Sequence, residues 1–232
     1  MADGQLFCDE YFEKREQVVR TQIGAPLDQM RKDFKQLDSP VMTRLMNAQL
    51  DKPLTVEELL SFEPSRRQNM LSAVLYNDAL WRFQAAYIML CIGMLNVSYS
   101  NLRSCIDDIV GAHIIENLDS EAVKFLKTGK IDPTKIESYI PEKYNSYIKG
   151  IKETLGKWGV HCSLDSAQLG LAYGPSTFFK MIAGTKVKRE EPLSEDFKGA
   201  ADVCLKVIGD IFLIFMFVIN KGTKYRRGVE PG

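Results

Sequence analysis

The sequence predicts an all-α fold, a multi-helix bundle with a long antiparallel helix pair and a hydrophobic C-terminal helix. Apolar residues recur every three or four positions over long stretches of the 232 residues, which is the period of amphipathic helices. The only alternating stretch typical of a strand is Lys186-Val187-Lys188, and no Asn-Gly hairpin turn occurs. At 45% apolar residues, the chain can bury the core of one domain.

The N-terminal segment, 1–64, is predicted to consist of helices. Apolar residues at helical spacing extend from Leu6 to Leu37, and Gly24-Ala25-Pro26 is expected to bend or split this helix. A further helix is expected to start at Ser39-Pro40. Thr55-Val56-Glu57-Glu58 has the N-cap and the acidic first turn of a short helix.

The bundle core is predicted to span 65–220. No proline occurs between Ser65 and Asn117, and this stretch is far longer than the usual helix of ~11 to 12 residues. We therefore expect two antiparallel helices, with the break either near Gly93 or between Asn96 and Asn101. Small residues along the stretch would allow the two helices to pack closely.

Three shorter helices are predicted after this pair. The first covers Asp119 to Leu126 and ends at a glycine C-cap, Gly129. The second runs from Asp132-Pro133 to Tyr139, and the third begins at Pro141. Each start is marked by a proline or by an acidic first turn, which are both typical of helix N-termini.

The final predicted helix, Ser194 to Asn220, is the most hydrophobic element. Its unbroken apolar run, Ile211 to Ile219, is too short for a membrane span, which takes roughly 20 apolar residues. We therefore expect a buried helix and no membrane span. The residues that follow, 221–232, are expected to form a flexible basic tail. A self-assembling structural protein would be favoured if the helix exposed one large apolar patch, formed by Ile211, Leu213, Phe215 and Phe217.

Composition narrows the functional classes. Lysine plus arginine and aspartate plus glutamate number 30 each, so no global field steers the chain toward nucleic acid or an anionic membrane, and any such binding must be local. The five cysteines contain no Cys-x-x-Cys pair, which is typical of a reducing compartment. Because Met1 to Glu16 lacks the apolar region of a signal peptide, we expect a cytoplasmic protein.

Charged residues interrupt the predicted helix pair at Arg103, Asp107 and Asp108. Because an ionised group removed from water costs several kcal/mol unless it is paired, Arg103 is expected to pair with Asp107, one helical turn away. Together with Glu116 and Asp119, the two aspartates are interpreted as a solvated acidic face. A four-helix metal site would need Glu-x-x-His pairs, and phosphate-binding glycine loops do not occur, so neither metal nor cofactor is expected.

Only two histidines, His113 and His161, are available for acid–base catalysis. His113 is expected to pack near the end of its helix. His161 follows a glycine and an aromatic residue at a predicted helix end, where it could bind helix carbonyls or act in catalysis. A dyad of His161 with Cys162 is disfavoured, because adjacent side chains seldom converge, and no Gly-x-Ser-x-Gly elbow occurs.

Two local basic groups could contact RNA phosphates. Neither group has interleaved aromatic residues, and charge runs in loops and tails are more often only solvated. The first group lies in a charged stretch and comprises Lys180, Lys186, Lys188 and Arg189. The second lies at the start of the tail and comprises Lys221, Lys224, Arg226 and Arg227.

The order of features between Ala85 and Ser163 resembles a broad group of uncharacterised prokaryotic helical proteins related to the HEPN superfamily. The shared features are a glycine-punctuated helix, an arginine followed four residues later by an acid, a short linker after a helix, and an ending similar to Leu-Ser-x-x-Val-His. They cover about a third of the chain. In this sequence they fall at Ile92-Gly93-Met94, at Arg103 and Asp107, at Phe125 to Pro133, and at Leu155 to His161.

The resemblance implies a helical bundle that often dimerises, with Arg103, Asp107 and His161 near one another in the core or in a cleft, and with RNA as a candidate partner. HEPN ribonucleases carry an arginine four to six residues before a histidine, and neither histidine of this chain has one there. We therefore expect a cytoplasmic binding or regulatory protein, associated with RNA or with another protein in stress or defence, that self-associates through an apolar helix face. The alternatives are a ribonuclease or other hydrolase with His161, Arg103 and Asp107 as catalytic residues, or a self-assembling structural protein.

Overall fold

A computed structural model describes residues 9–48, 53–155 and 195–221 of the chain. Within these ranges it contains seven α-helices, one 3₁₀ helix and no β-strand, which confirms the predicted all-α bundle. The helices are α1 (Asp9–Ala48), α2 (Val56–Ser61), α3 (Pro64–Cys91), α4 (Leu95–Asn117), α5 (Asp119–Thr128), the 3₁₀ helix (Pro133–Ser138), α6 (Glu142–Leu155) and α7 (Glu195–Lys221).

Helix α1 bends once, at Ile23, whose φ of −132° and ψ of 26° are not helical. The bend directly precedes Gly24-Ala25-Pro26, where the loss of a backbone N–H at proline predicted it. The prediction that a separate helix starts at Ser39-Pro40 is wrong, because α1 continues through both residues. Leu37 and Val41 are fully buried on either side of this proline, so burial of one continuous apolar face offsets the hydrogen bond that the proline removes.

The short helix α2 begins at the predicted cap and is held at its other end by an arginine. Thr55 Oγ1 accepts a hydrogen bond from Glu58 N at 3.2 Å, and Thr55 N donates to Glu58 Oε2 at 2.8 Å, so a capping box is complete. After the helix, Arg67 Nη1 donates to the carbonyls of Leu60 and Phe62, each at 2.9 Å. These bonds satisfy carbonyls that a helix end leaves without partners.

Helices α3 and α4 form the predicted antiparallel pair. The break lies at Gly93, where a φ of 72° requires the left-handed backbone that glycine adopts at low cost. Of the two predicted positions, the one near Gly93 is therefore correct and the one between Asn96 and Asn101 is wrong. Close packing follows from small residues, since Ser98 Oγ on α4 donates to the Ala86 carbonyl on α3 at 2.9 Å.

One hydrophobic core joins α1, α3, α4, α6 and α7, so the N-terminal segment is part of the bundle. Helix α3 packs between α1 and α4, and α7 packs against α1, α4 and α6. Ile211 and Phe215 of α7 are fully buried, whereas Leu213 is 53% exposed. The large apolar patch that would favour a self-assembling protein is therefore not present on α7. Among the described helices, each is either too short or too polar to form a membrane span.

The connection between α4 and α6 agrees with the predicted boundaries and differs in one helix type. Gly129 ends α5 with a φ of 66°, as a glycine C-cap does. The helix predicted after Asp132-Pro133 is a 3₁₀ helix, whose first turn is capped because Asp132 accepts a hydrogen bond from Thr134 N at 3.0 Å. At six residues it is longer than most 3₁₀ helices, which seldom exceed three or four residues because their hydrogen-bond geometry is poor.

Candidate functional site

A cleft of about 310 Å³ opens between α4, α6 and the chain that follows α5. We refer to it as the α4–α6 cleft. The charged part of its lining consists of Arg103, Asp107 and Asp108 from α4 and Lys152 from α6. The apolar part comes from α3, α4, α5 and the segment after α5, and includes Leu75, Val110, Phe125 and Ile131. A concave apolar surface with a few convergent polar groups is the usual form of a ligand site.

The pairing predicted for Arg103 is confirmed and includes a third residue. Asp107 Oδ2 lies 3.1 Å from Arg103 Nε, and Asp107 Oδ1 lies 2.7 Å from Lys152 Nζ. Arg103 Nη1 also donates to the Lys152 carbonyl at 3.0 Å, which belongs to the last turn of α6 and has few partners within its own helix. The three residues, called here the Arg103 cluster, therefore tie α4 to the C-terminal end of α6.

The Arg103 cluster lies at the surface and not in the core. The side chains of Arg103, Asp107 and Lys152 are 27%, 44% and 20% exposed. Although Arg103 and Asp107 belong to a largely apolar helix, their side chains lie on the side of α4 that solvent reaches. Ion pairs with this much solvent contact stabilise a fold by about 0 to 1 kcal/mol. Their cost of rearrangement is correspondingly small, so a ligand can compete for them.

Asp108 lies between this surface and the core. Burial raises the pKa of its carboxyl to about 6, although Arg82, with Nε 2.6 Å from Asp108 Oδ2, opposes the shift. The negative charges of Asp78 and Asp107 raise the pKa further. The Asp108 carboxyl can therefore change its protonation state close to neutral pH, within the lining of the cleft.

Gly111 sets the width of the apolar part of the cleft. A Cβ atom built on it would lie 2.8 Å from Ile131 Cδ1 and 3.7 Å from Leu75 Cδ1. The first distance is shorter than real Cβ contacts, so any larger residue would displace the Ile131 side chain. Both contacted residues line the cleft. A glycine at this position lets the segment after α5 approach α4 closely.

The interpretation of the four acidic residues as one solvated face is wrong. Each carboxylate has its own basic partner, and Glu116 is buried. The reason is that the residues point in different directions around α4 and its C-terminal end, so each meets a different helix. The pairs are Asp107 with Arg103 and Lys152, Asp108 with Arg82, Glu116 with Arg44, and Asp119 with Arg67.

A buried polar cluster surrounds Glu116. Its carboxylate pairs with Arg44 of α1 and accepts a hydrogen bond from Tyr76 Oη at 3.1 Å. Arg44 also donates to the Ile219 carbonyl of α7 at 3.0 Å, and its guanidinium lies 5.1 Å from the centre of the Tyr76 ring. Burial raises the pKa of Tyr76, which keeps the phenol protonated as a donor. The Glu116 cluster, these three side chains, thus joins four helices.

His113 packs beside this cluster, as its position near the end of the helix predicted. Its Nε2 lies 2.8 Å from the Tyr139 carbonyl, so Nε2 carries the proton and donates. Burial lowers the pKa of the imidazole, which stays neutral. Nδ1 is buried and is the side-chain atom without a hydrogen-bond partner among the described residues. Fully enclosed in the core, His113 supports the fold and does not reach the cleft lining.

The importance of Glu116 could have been found from α1. In that helix Leu37, Val41, Arg44 and Ala48 follow one another at spacings of four, three and four residues, so Arg44 occupies a position on the buried apolar stripe. A charged residue at such a position requires a buried carboxylate partner. Lys152 could be recognised as a residue of the cleft only once α6 is known to pack on α4.

The remaining predicted site residues lie outside the described residues. They are His161, Lys186, Lys188, Arg189, Lys224, Arg226 and Arg227. The structure thus brings together Arg103 and Asp107 of the predicted catalytic set. Within the described ranges, no group of three or more histidine, cysteine and carboxylate residues could hold a metal ion.

Cysteine chemistry does not enter this site. Cys91, Cys105 and Cys204 are buried thiols outside any disulfide. Burial raises the pKa of all three, to about 12 for Cys204. A protonated, enclosed thiol is a poor nucleophile and a poor metal ligand. Within the described part of the chain, the α4–α6 cleft is therefore the candidate site. Comparisons with protein-family models, with curated proteins and with solved structures found no match.

Proposed function

We propose that this chain is a helical, HEPN-like binding protein, and that the α4–α6 cleft binds phosphate-bearing ligands, with single-stranded RNA as the ligand class. One observation supports the proposal above the others. Arg103 and Lys152 come from two different helices and converge, beside the carboxylates of Asp107 and Asp108, in a cleft whose remaining lining is apolar. Proteins that bind single-stranded nucleic acid combine cations that contact the phosphates with an apolar surface that contacts the bases.

The chemistry of the charged lining suits a phosphodiester. Arginine carries five N–H donors, and the contacts with Asp107 and the Lys152 carbonyl involve only Nε and Nη1. Lysine offers a further point charge. A phosphate that enters the cleft would take over both cations and leave Asp107 facing solvent, where it is already 44% exposed. Asp107 is therefore a competitor of the ligand.

This competition separates ligand binding from a purely structural role of the Arg103 cluster. If the cations bind phosphate, Arg103→Ala and Lys152→Ala weaken binding. Asp107→Asn strengthens it, because a neutral amide competes less for the two cations and does not repel the phosphate. If the cluster only ties α4 to α6, all three changes act through stability and in the same direction. A catalytic role for Asp107 would show instead as loss of turnover in Asp107→Asn.

The experiment measures fluorescence anisotropy of a labelled single-stranded oligoribonucleotide titrated with purified protein at low and near-physiological salt. We expect salt-sensitive binding, about tenfold weaker in Arg103→Ala and stronger in Asp107→Asn. The matched control is Arg20→Ala, since Arg20 also pairs with an acid one turn away, Glu16, at 2.7 Å and with 36% exposure, but lies on α1. Circular dichroism confirms that each variant is folded.

Two results would overturn the proposal. The first is no binding at low salt, and the second is binding that Arg103→Ala and Arg20→Ala reduce equally, which would place the contacts elsewhere. Gel analysis of the same samples tests for cleavage. Cleavage by the wild-type protein that His161→Ala abolishes would replace the binding function with a ribonuclease.

A further inference from the structure

Helix α3 carries a stripe of exposed residues on the side that α1 and α4 leave uncovered. Trp81 is 64% exposed, Ile88 55% and Val74 38%, although apolar side chains of this size are usually buried. They lie seven residues apart, and the exposed Asp78 and the partly exposed Ala85 lie between them. Spacings of three and four residues place all five on one side of a helix. We call them the α3 stripe.

We propose that the α3 stripe is the interface between two copies of this chain, which pair antiparallel across a twofold axis near Trp81. Val74 and Ile88 each lie seven residues from Trp81, or about 10 Å along a helix that rises 1.5 Å per residue. A twofold axis through Trp81 therefore sets Val74 of one copy against Ile88 of the other. Such self-complementarity is what a twofold interface requires.

The charges beside Trp81 fit the same axis. Asp78 precedes Trp81 by three residues and Arg82 follows it by one, so the axis brings Asp78 of one copy within about 3 Å, along the helix, of the level of Arg82 of the other. Asp78 is exposed, and Arg82 is 45% exposed while it holds Asp108. Opposite charges would thus face each other twice, which favours a second copy over a partner of uniform charge.

The size of the stripe limits the strength of the contact. From Val74 to Ile88 it is about 21 Å long, the length of a single helix crossing. Such a contact belongs to the weak class that buries less than about 1,200 Å² in total. We therefore expect a monomer–dimer equilibrium with a dissociation constant in the micromolar range. None of the stripe residues lines the α4–α6 cleft, so this proposal does not depend on the proposed function.

The first test is sedimentation velocity of the full chain over a series of concentrations. We expect Trp81→Glu to weaken dimerisation at least tenfold, because it places two carboxylates at the axis. The matched control is Leu213→Glu, since Leu213 is 53% exposed on α7, which packs against α1, α4 and α6. Asp78→Lys should weaken the dimer less, and high salt should reduce its effect.

The second test fixes the register by disulfide cross-linking in a background with Cys8 and Cys162 replaced by serine. A mixture of Val74→Cys and Ile88→Cys chains should cross-link, while each variant alone should not. A chain that is monomeric at all concentrations overturns the proposal. The same result is expected if residues of the same chain cover Trp81. Equal effects of Trp81→Glu and Leu213→Glu overturn it as well, because the interface would then lie elsewhere.

Discussion

Two ion clusters lie along α4 and differ in their exposure to solvent. The Arg103 cluster joins α4 to α6 with side chains that are 20% to 44% exposed. The Glu116 cluster joins α1, α3, α4 and α7; its carboxylate is only 7% exposed, against 44% for Asp107, while its arginine, Arg44, is 24% exposed. An exposed pair contributes little to stability, whereas a buried charge is costly once its partner is removed. Charge in the core therefore fixes the fold, and charge at the cleft stays available to a ligand.

The comparison is tested most directly by two isosteric changes, Glu116→Gln and Asp107→Asn. We expect Glu116→Gln to lower the free energy of unfolding by about 2 to 3 kcal/mol, because Arg44, whose side chain is only 24% exposed, then keeps its charge without a counter-charge. Asp107→Asn should lower it by less than about 1 kcal/mol. Urea denaturation followed by circular dichroism measures both. Similar losses for the two variants would show that burial does not distinguish the clusters.

The sequence predicted the exposed cluster and missed the buried one, for a physical reason. Arg103 and Asp107 are one helical turn apart, so local spacing alone pairs them. Glu116 and Arg44 are separated by 72 residues and meet only because α1 folds back along α3. The predicted break at Gly93 is correct for the same reason as the Arg103–Asp107 pair, because both depend only on residues that are close in sequence.

Tertiary packing also explains where local rules failed in the fold. Proline at position 40 favours a helix start, yet the buried stripe of α1 continues through it. The apolar run of α7 predicted burial correctly, but which of its residues would face solvent depended on the three helices that surround it. Lys152 could not be assigned to the candidate site, because the crossing of α6 over α4 is not encoded in any local pattern.

Asp108, which lies between the two extremes of exposure, gives a pH-dependent test of the comparison. Its folded pKa of about 6 exceeds the ordinary value of 3.8, so the folded state binds the proton more tightly. The stabilisation this provides is fully present below about pH 4 and is lost as the pH rises through about 6. Between these limits the wild-type chain should lose about 2 to 3 kcal/mol relative to Asp108→Asn.

Stability curves of both proteins against pH provide the measurement, and carbon-13 NMR of the Asp108 carboxyl gives its pKa directly. Arg82→Ala should raise that pKa further, since Arg82 favours the charged form. An Asp108 that titrates near 4 would mean that solvent reaches the carboxyl, and it would then belong with the exposed cluster. Glu121, which is also buried but pairs with Lys124, serves as a carboxylate remote from Arg82.

The smallest expected change in stability comes from Gly111, which lies on α4 between the two clusters. Gly111→Ala gains roughly 1 kcal/mol of helix propensity but places a Cβ 2.8 Å from Ile131 Cδ1. Because that atom is the end of a flexible side chain in the cleft lining, the side chain can move, and the net change should stay within about 1 kcal/mol. The displaced methyl group would enter the cleft, so the free energy of ligand binding should change more than the free energy of unfolding.

Gly150→Ala on α6 is the matched control, because no atom lies within 4 Å of a Cβ at that position. It should stabilise the chain by roughly 0.5 to 1 kcal/mol and leave binding unchanged. The two alanine variants then separate helix propensity from cleft shape within one fold. If Gly111→Ala destabilised the chain by several kcal/mol, the wall of the cleft would be as rigid as the core around Glu116, and the contrast between the two regions would be lost.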